Sequence, residues 1–143
     1  MDGTSSRIVT MLVGLALAIA PGCGGNQPPS KEAIEEGPIR DVGTLYRMFS
    51  ADSNKPPEGP ADLKIYQQAY PNGYRAVQDG SVVVNWGAKL TDLSEAGNQE
   101  SSDEVLAYEK EVPEKGGNVL MKNRTIKKMT ADEFKAAPKA GKG

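Results

Sequence analysis

Histidine is missing from this 143-residue chain. That absence removes the side chain that most often serves as a general base near neutral pH and most often ligates transition metals, so Ser-His and Cys-His catalysis are excluded. Cysteine occurs once, at position 23, and no intrachain disulfide can form. Neither sign of charge dominates: 17 Lys+Arg against 19 Asp+Glu leave a net charge of −2, without the basic excess that nucleic acid demands. Aromatics make up 6% of the residues, so most are needed for a core and few are spare for a binding surface. No apolar run reaches the roughly 20 residues of a membrane-spanning helix. The longest uncharged apolar run, Ile8 to Ala20, has 13.

That run is what the chain does have at its start. It follows Arg7 and has the length of a secretion-signal core. It leads into Ala20-Pro21-Gly22-Cys23-Gly24-Gly25, which resembles the lipobox, where small residues precede a cysteine that receives a diacylglyceryl thioether before cleavage. Ala20 stands where leucine is usual, and Pro21 is atypical. The rival is ordinary cleavage after Ala18-Ile19-Ala20, but Pro21 in the following position is poorly accepted by that class of peptidase. An unpaired cysteine in an exported chain also asks for an explanation, and lipidation supplies one. Residues 1–22 are therefore expected to be a signal peptide, with Cys23 lipidated and the chain held at a membrane by several acyl chains. Residues 23–37, polar and rich in glycine and proline, read as a flexible tether. Gly24 is not the aspartate that retains some lipoproteins at the inner membrane, which favours the outer membrane.

Residues 38–135 read as a single α+β domain, with an N-terminal helix packed on an antiparallel sheet of about four or five strands. Pro38 suits a first helical turn, and Ile39, Val42, Leu45, Tyr46 and Phe49 recur at helical spacing. A second short helix is expected from Ala61 to Tyr70, stopped by Pro71-Asn72-Gly73. A hairpin is expected next, with strands Tyr74–Gln78 and Ser81–Trp86 around Asp79-Gly80. Three more strands read as Val105–Lys110, Asn118–Met121 and Thr125–Met129. Thr130 with Glu133 three residues on, flanked by Met129 and Phe134, spells a capping box with a hydrophobic staple. Residues 136–143 have little to bury and are expected to be a disordered tail.

The segment Val105-Leu106-Ala107-Tyr108-Glu109-Lys110, then Gly116-Gly117-Asn118-Val119-Leu120-Met121 and Thr130-Ala131-Asp132-Glu133-Phe134, resembles the C-terminal head of type II secretion prepilin-like (pseudopilin) proteins. In one subgroup of these an Asp-Gly-His turn closes the last hairpin. Here Asn123-Arg124-Thr125 occupies that turn, and the lipoprotein signal stands where the family has its filament-forming N-terminal helix. The resemblance implies a similar head and argues against a filament subunit.

Few residues suggest chemistry. Asp92, Glu95, Glu100, Asp103 and Glu104 gather carboxylates in one segment, and the resemblance implies a calcium-binding loop in this part of the head; Gly97 could supply the sharp turn, though no EF-hand spacing is present. Asp92, Glu95, Asp103 and Glu104 are the candidate ligands, against the plain reading of a solvated loop. Tyr66 and Tyr70, one helical turn apart, are the candidate partner-binding aromatics. Glu109, alternating with Tyr108, is expected on a solvated edge, and Lys127 and Lys128 are expected to guard an edge strand. These features point to a lipid-anchored envelope protein acting as a structural or interaction module, linked to a secretion or pilus-like assembly through an envelope protein partner. The alternative is a lipoprotein that binds calcium or a small ligand. Enzymatic activity is not expected.

Overall fold

The computed structural model describes residues 30–94 and 102–141. Cys23, the signal peptide and the first part of the tether therefore lie outside the described residues. The architecture is α+β, as expected: helices and one four-stranded antiparallel sheet of order β1-β2-β3-β4. The strands are β1 (Val82–Val84), β2 (Val105–Glu109), β3 (Gly117–Met121) and β4 (Ile126–Met129).

A short helix α1 (Lys31–Glu35) precedes α2 (Gly37–Ser53), the longest element. Proline in the first turn of α2 costs no hydrogen bond, because that N–H has no intrahelical partner. Its predicted apolar stripe is the buried one, with Ile39, Val42, Leu45 and Tyr46 fully enclosed and Phe49 nearly so. Tyr46 donates its hydroxyl to the Ala88 carbonyl at 2.7 Å, so the ring is buried without an orphaned polar atom.

The segment after α2 departs from expectation twice. The second helix is a 3-10 turn, Pro60–Tyr66, that buries Leu63 and leaves Ile65 74% exposed. The anticipated hairpin is not formed, because Tyr74–Gln78 belongs to helix α3 (Pro71–Gln78). Pro71 opens that helix instead of stopping its predecessor. Tyr70, at the cap, makes no side-chain capping bond. The Asp41 carboxylate of α2 accepts from the Gly73 backbone N–H instead, supplying a partner for a first-turn donor. Gly73 also fits the crossing with α2 sterically, since a Cβ there would lie 2.5 Å from the Asp41 Cβ. Asp79-Gly80 then serves as a helix end: the Asp79 N–H bonds the Arg75 carbonyl, and Gly80 takes φ +76°.

β1 pairs with β2 through Val82↔Glu109 and Val84↔Ala107, and β2 with β3 through Tyr108↔Val119. A bulge at Leu106 lets both Leu106 and Ala107 join the core shared with α2. One sheet face carries Val82, Val84, Ala107 and Leu120 against Ile39, Val42 and Tyr46. The other carries Val105, Val119 and Met121 against Val112 of α4 (Val112–Lys115) and Phe134 of α5 (Ala131–Ala136). The sheet is thus sandwiched between two helical layers.

The capping box forms as the sequence spells it. Thr130 Oγ1 accepts from the Glu133 N–H at 3.2 Å, and a Glu133 carboxylate oxygen accepts from the Thr130 N–H at 2.7 Å. Residues 137–141 are not the free tail anticipated. The Val105 N–H donates to the Pro138 carbonyl and the Ala140 N–H to the Val105 carbonyl, both at 2.8 Å. Lys139 bridges Val105 in parallel and Ala140 is buried. The tail supplies partners to Val105, a fully buried residue whose backbone groups would be costly to leave unpaired.

Candidate functional site

Two of the four carboxylates proposed as metal ligands, Asp92 and Glu104, are occupied by local partners. Asp92 accepts from the Ser94 N–H and the Ser94 hydroxyl at 2.8 and 2.7 Å, and those bonds hold its carboxyl below the ordinary value, with Arg124 nearby adding to the effect. Glu104 pairs with Lys122 at 2.6 Å. Asp103 is exposed, and Glu95 lies outside the described residues. Among the described residues no group of three or more carboxylate, cysteine or histidine side chains is placed to hold a metal ion.

Glu109 is not on a solvated edge, because β2 is an inner strand. Its two carboxylate oxygens accept from the Asn118 N–H and side-chain amide at 2.8 and 2.9 Å across the β2–β3 pair. The buried Asn118 Oδ1 has no partner. Lys127 and Lys128 do lie exposed on β4, an edge strand.

Tyr66 and Tyr70 are both half-buried against Leu45, Phe49, Leu63 and Tyr74, so part of each ring belongs to the core. The Tyr66 hydroxyl donates to Asp52 of α2. Loss of hydration and then the bond and charge of Asp52 push its pKa up to about 12. Ile65 stands beside it, exposed. This apolar and aromatic pole sits at the C-terminal end of α2.

A concavity lies along the same end of α2, where Ser50 faces Pro56, Leu90 and Leu93, with Lys55 and Lys89 at its margin. It encloses about 180 Å³. Leu93 is held in place by Arg47, whose guanidinium donates to the Leu93 carbonyl at 3.4 Å, and Arg124 donates to the Ser94 carbonyl. The two guanidiniums repel one another, and burial together with Arg47 lowers the pKa of Arg124. In the sequence Leu90 and Leu93 are the lone large apolar residues between Lys89 and Glu104, and nothing there marks Lys55 and Lys89 as belonging with them. No periodicity connects two lysines from separate loops; the fold alone brings them to one cleft.

No family model, characterised protein or solved structure matches the chain. No helix among the described residues is long and apolar enough to cross a membrane.

Proposed function

We propose that the chain is a lipid-anchored protein of the bacterial envelope, acting as a structural or interaction module rather than as an enzyme. The observation that carries the reading is the placement of Cys23 three residues after a 13-residue apolar run and eight residues before α1 begins at Lys31. Eight extended residues span at most about 28 Å, so a lipid on Cys23 keeps the N-terminal end of α2 close to the bilayer. The 17 residues of α2 measure about 25 Å, and the pole bearing Ile65, Tyr66 and Tyr70 lies at the far end. An anchored head can therefore present that pole away from the membrane, within reach of an envelope protein.

The likeness of Val105–Phe134 to pseudopilin heads supports a link to a secretion or pilus-like assembly, and Gly24 after the cysteine supports an outer-membrane address. Intact-mass analysis of the mature chain tests the anchoring. The expected N-terminus is Cys23 carrying a diacylglyceryl group, lost in Cys23→Ser. An unmodified Cys23, or a chain beginning at Pro21, would overturn it.

A further inference from the structure

We infer that the cleft between the C-terminal end of α2 and the Lys89–Leu93 segment binds a small amphipathic anion, a carboxylate on a short alkyl or single-ring apolar body. Pro56, Leu90 and Leu93 supply an apolar lining, with Leu90 itself 7% exposed and so fixed in the core. A volume of about 180 Å³ is the space of about six waters, too small for a large cofactor and suited to a single ring or a short chain.

The margin fixes the sign of the ligand. Lys55 and Lys89 are exposed and form no ion pair or hydrogen bond among the described residues. Of the three acids that stand three residues from a lysine of the pair, Asp52 takes the Tyr66 hydroxyl and Asp92 takes Ser94, while the exposed Glu58 forms no ion pair with Lys55. In a chain of net charge −2, an apolar concavity bordered by two ammonium groups that form no ion pair among the described residues is complementary to an apolar body with an anionic head. Arg47, holding the Leu93 carbonyl, keeps one wall in position. The cleft belongs to the folded head, so the inference stands whether or not Cys23 is lipidated.

The test uses the full chain in phospholipid nanodiscs, with empty nanodiscs as the blank, and 19F NMR titration with 4-(trifluoromethyl)benzoate or the neutral 4-(trifluoromethyl)benzyl alcohol. The acid should bind about fivefold more tightly than the alcohol, the factor expected for one exposed ion pair at the strong end of its range. Lys55→Ala with Lys89→Ala should bring the two ligands to equal affinity. Lys55→Glu with Lys89→Glu should favour 4-(trifluoromethyl)benzylamine over the acid. Both lysines are exposed, so the variants should keep the wild-type far-UV circular dichroism and melting profile. Equal binding of acid and alcohol by the wild type would overturn the inference. So would acid binding unchanged in the double alanine variant, or no binding above the blank at 5 mM ligand.

Discussion

Replacing Gly73 by alanine tests the α2–α3 crossing, the contact that turns Tyr74–Gln78 into a helix. A Cβ on Gly73 would sit 2.5 Å from the Asp41 Cβ and 3.0 Å from the backbone of Asp41 and Val42. Carbon atoms pack at about 3.5–4.0 Å, so α3 must retreat by about 1 Å from backbone that cannot swing aside. Overpacking of this kind costs about 1–3 kcal/mol, and the retreat stretches the bond from the Gly73 N–H to Asp41, worth about 1 kcal/mol. Alanine returns about 1 kcal/mol through its higher helix propensity. The net loss is roughly 2 kcal/mol. Gly37, at the start of α2, is the control, because a Cβ there meets nothing within 4 Å. Gly37→Ala should be neutral or stabilising by up to about 1 kcal/mol. Urea unfolding followed through Trp86, the single tryptophan, should lower the midpoint of Gly73→Ala by about 1–2 M at an m-value of about 1–2 kcal/mol/M. A Gly73→Ala protein as stable as wild type, or as Gly37→Ala, would refute the close crossing and with it the physical account of α3.

Removing residues 137–143 should destabilise by about 1–3 kcal/mol in the same urea assay, because the buried Val105 N–H loses its partner and the Val105 C=O keeps only the Asn85 side-chain amide; a free tail would leave the midpoint unchanged. Tyr46→Phe should cost about 1–2 kcal/mol by stranding the Ala88 carbonyl. Burial pushes the Tyr46 pKa up to about 12, so its contribution should be intact below pH 10 and decline as the unfolded chain ionises between 10 and 12, a slope absent from the phenylalanine variant. Thr130→Ala should cost about 1 kcal/mol by removing the cap of α5, measured by thermal melting. Burial raises the Asp41 carboxyl above its ordinary 3.8, against the opposing bond from the Gly73 N–H. The native state therefore holds that proton longer, and stability should fall as pH rises from 3.8 through the folded value. Glu133 is shifted down by its bonds to Thr130 and gives the opposite slope, so the Asp41 effect is read as the difference between wild type and Asp41→Asn across pH 3 to 7.

Several elements were legible because their cause is local. The capping box at Thr130 and Glu133 depends on two side chains and two backbone N–H groups within four residues. The stripe from Ile39 to Phe49 repeats often enough for only one period to fit. Val105–Glu109, Gly117–Met121 and Ile126–Met129 are bounded by turns that isolate them as strands. Tyr74-Arg75-Ala76-Val77-Gln78 is too short to choose for itself, since Tyr74 with Ala76 satisfies a strand and Tyr74 with Val77 a helix. What chooses is packing against α2, more than 30 positions earlier: Ala76 and Val77 share a core with Val42 and Tyr46, and the missing Cβ of Gly73 lets the two helices approach at Asp41.

The same division runs through the candidate sites. The sequence by itself determined the features written in contiguous residues: the run ending at Cys23 as a candidate anchor, the exclusion of histidine chemistry, the strands after Val105 and the cap of the last helix. Only the tertiary structure decided that Glu109 turns inward to hold Asn118, that Ala140 returns to the core beside Val105, and that Lys55 and Lys89 flank one apolar cleft. Local hydrogen bonds and periodic burial act over a few residues and leave their mark in the order of the chain. A partner supplied from a distant loop leaves none, because its position exists only after the core has closed.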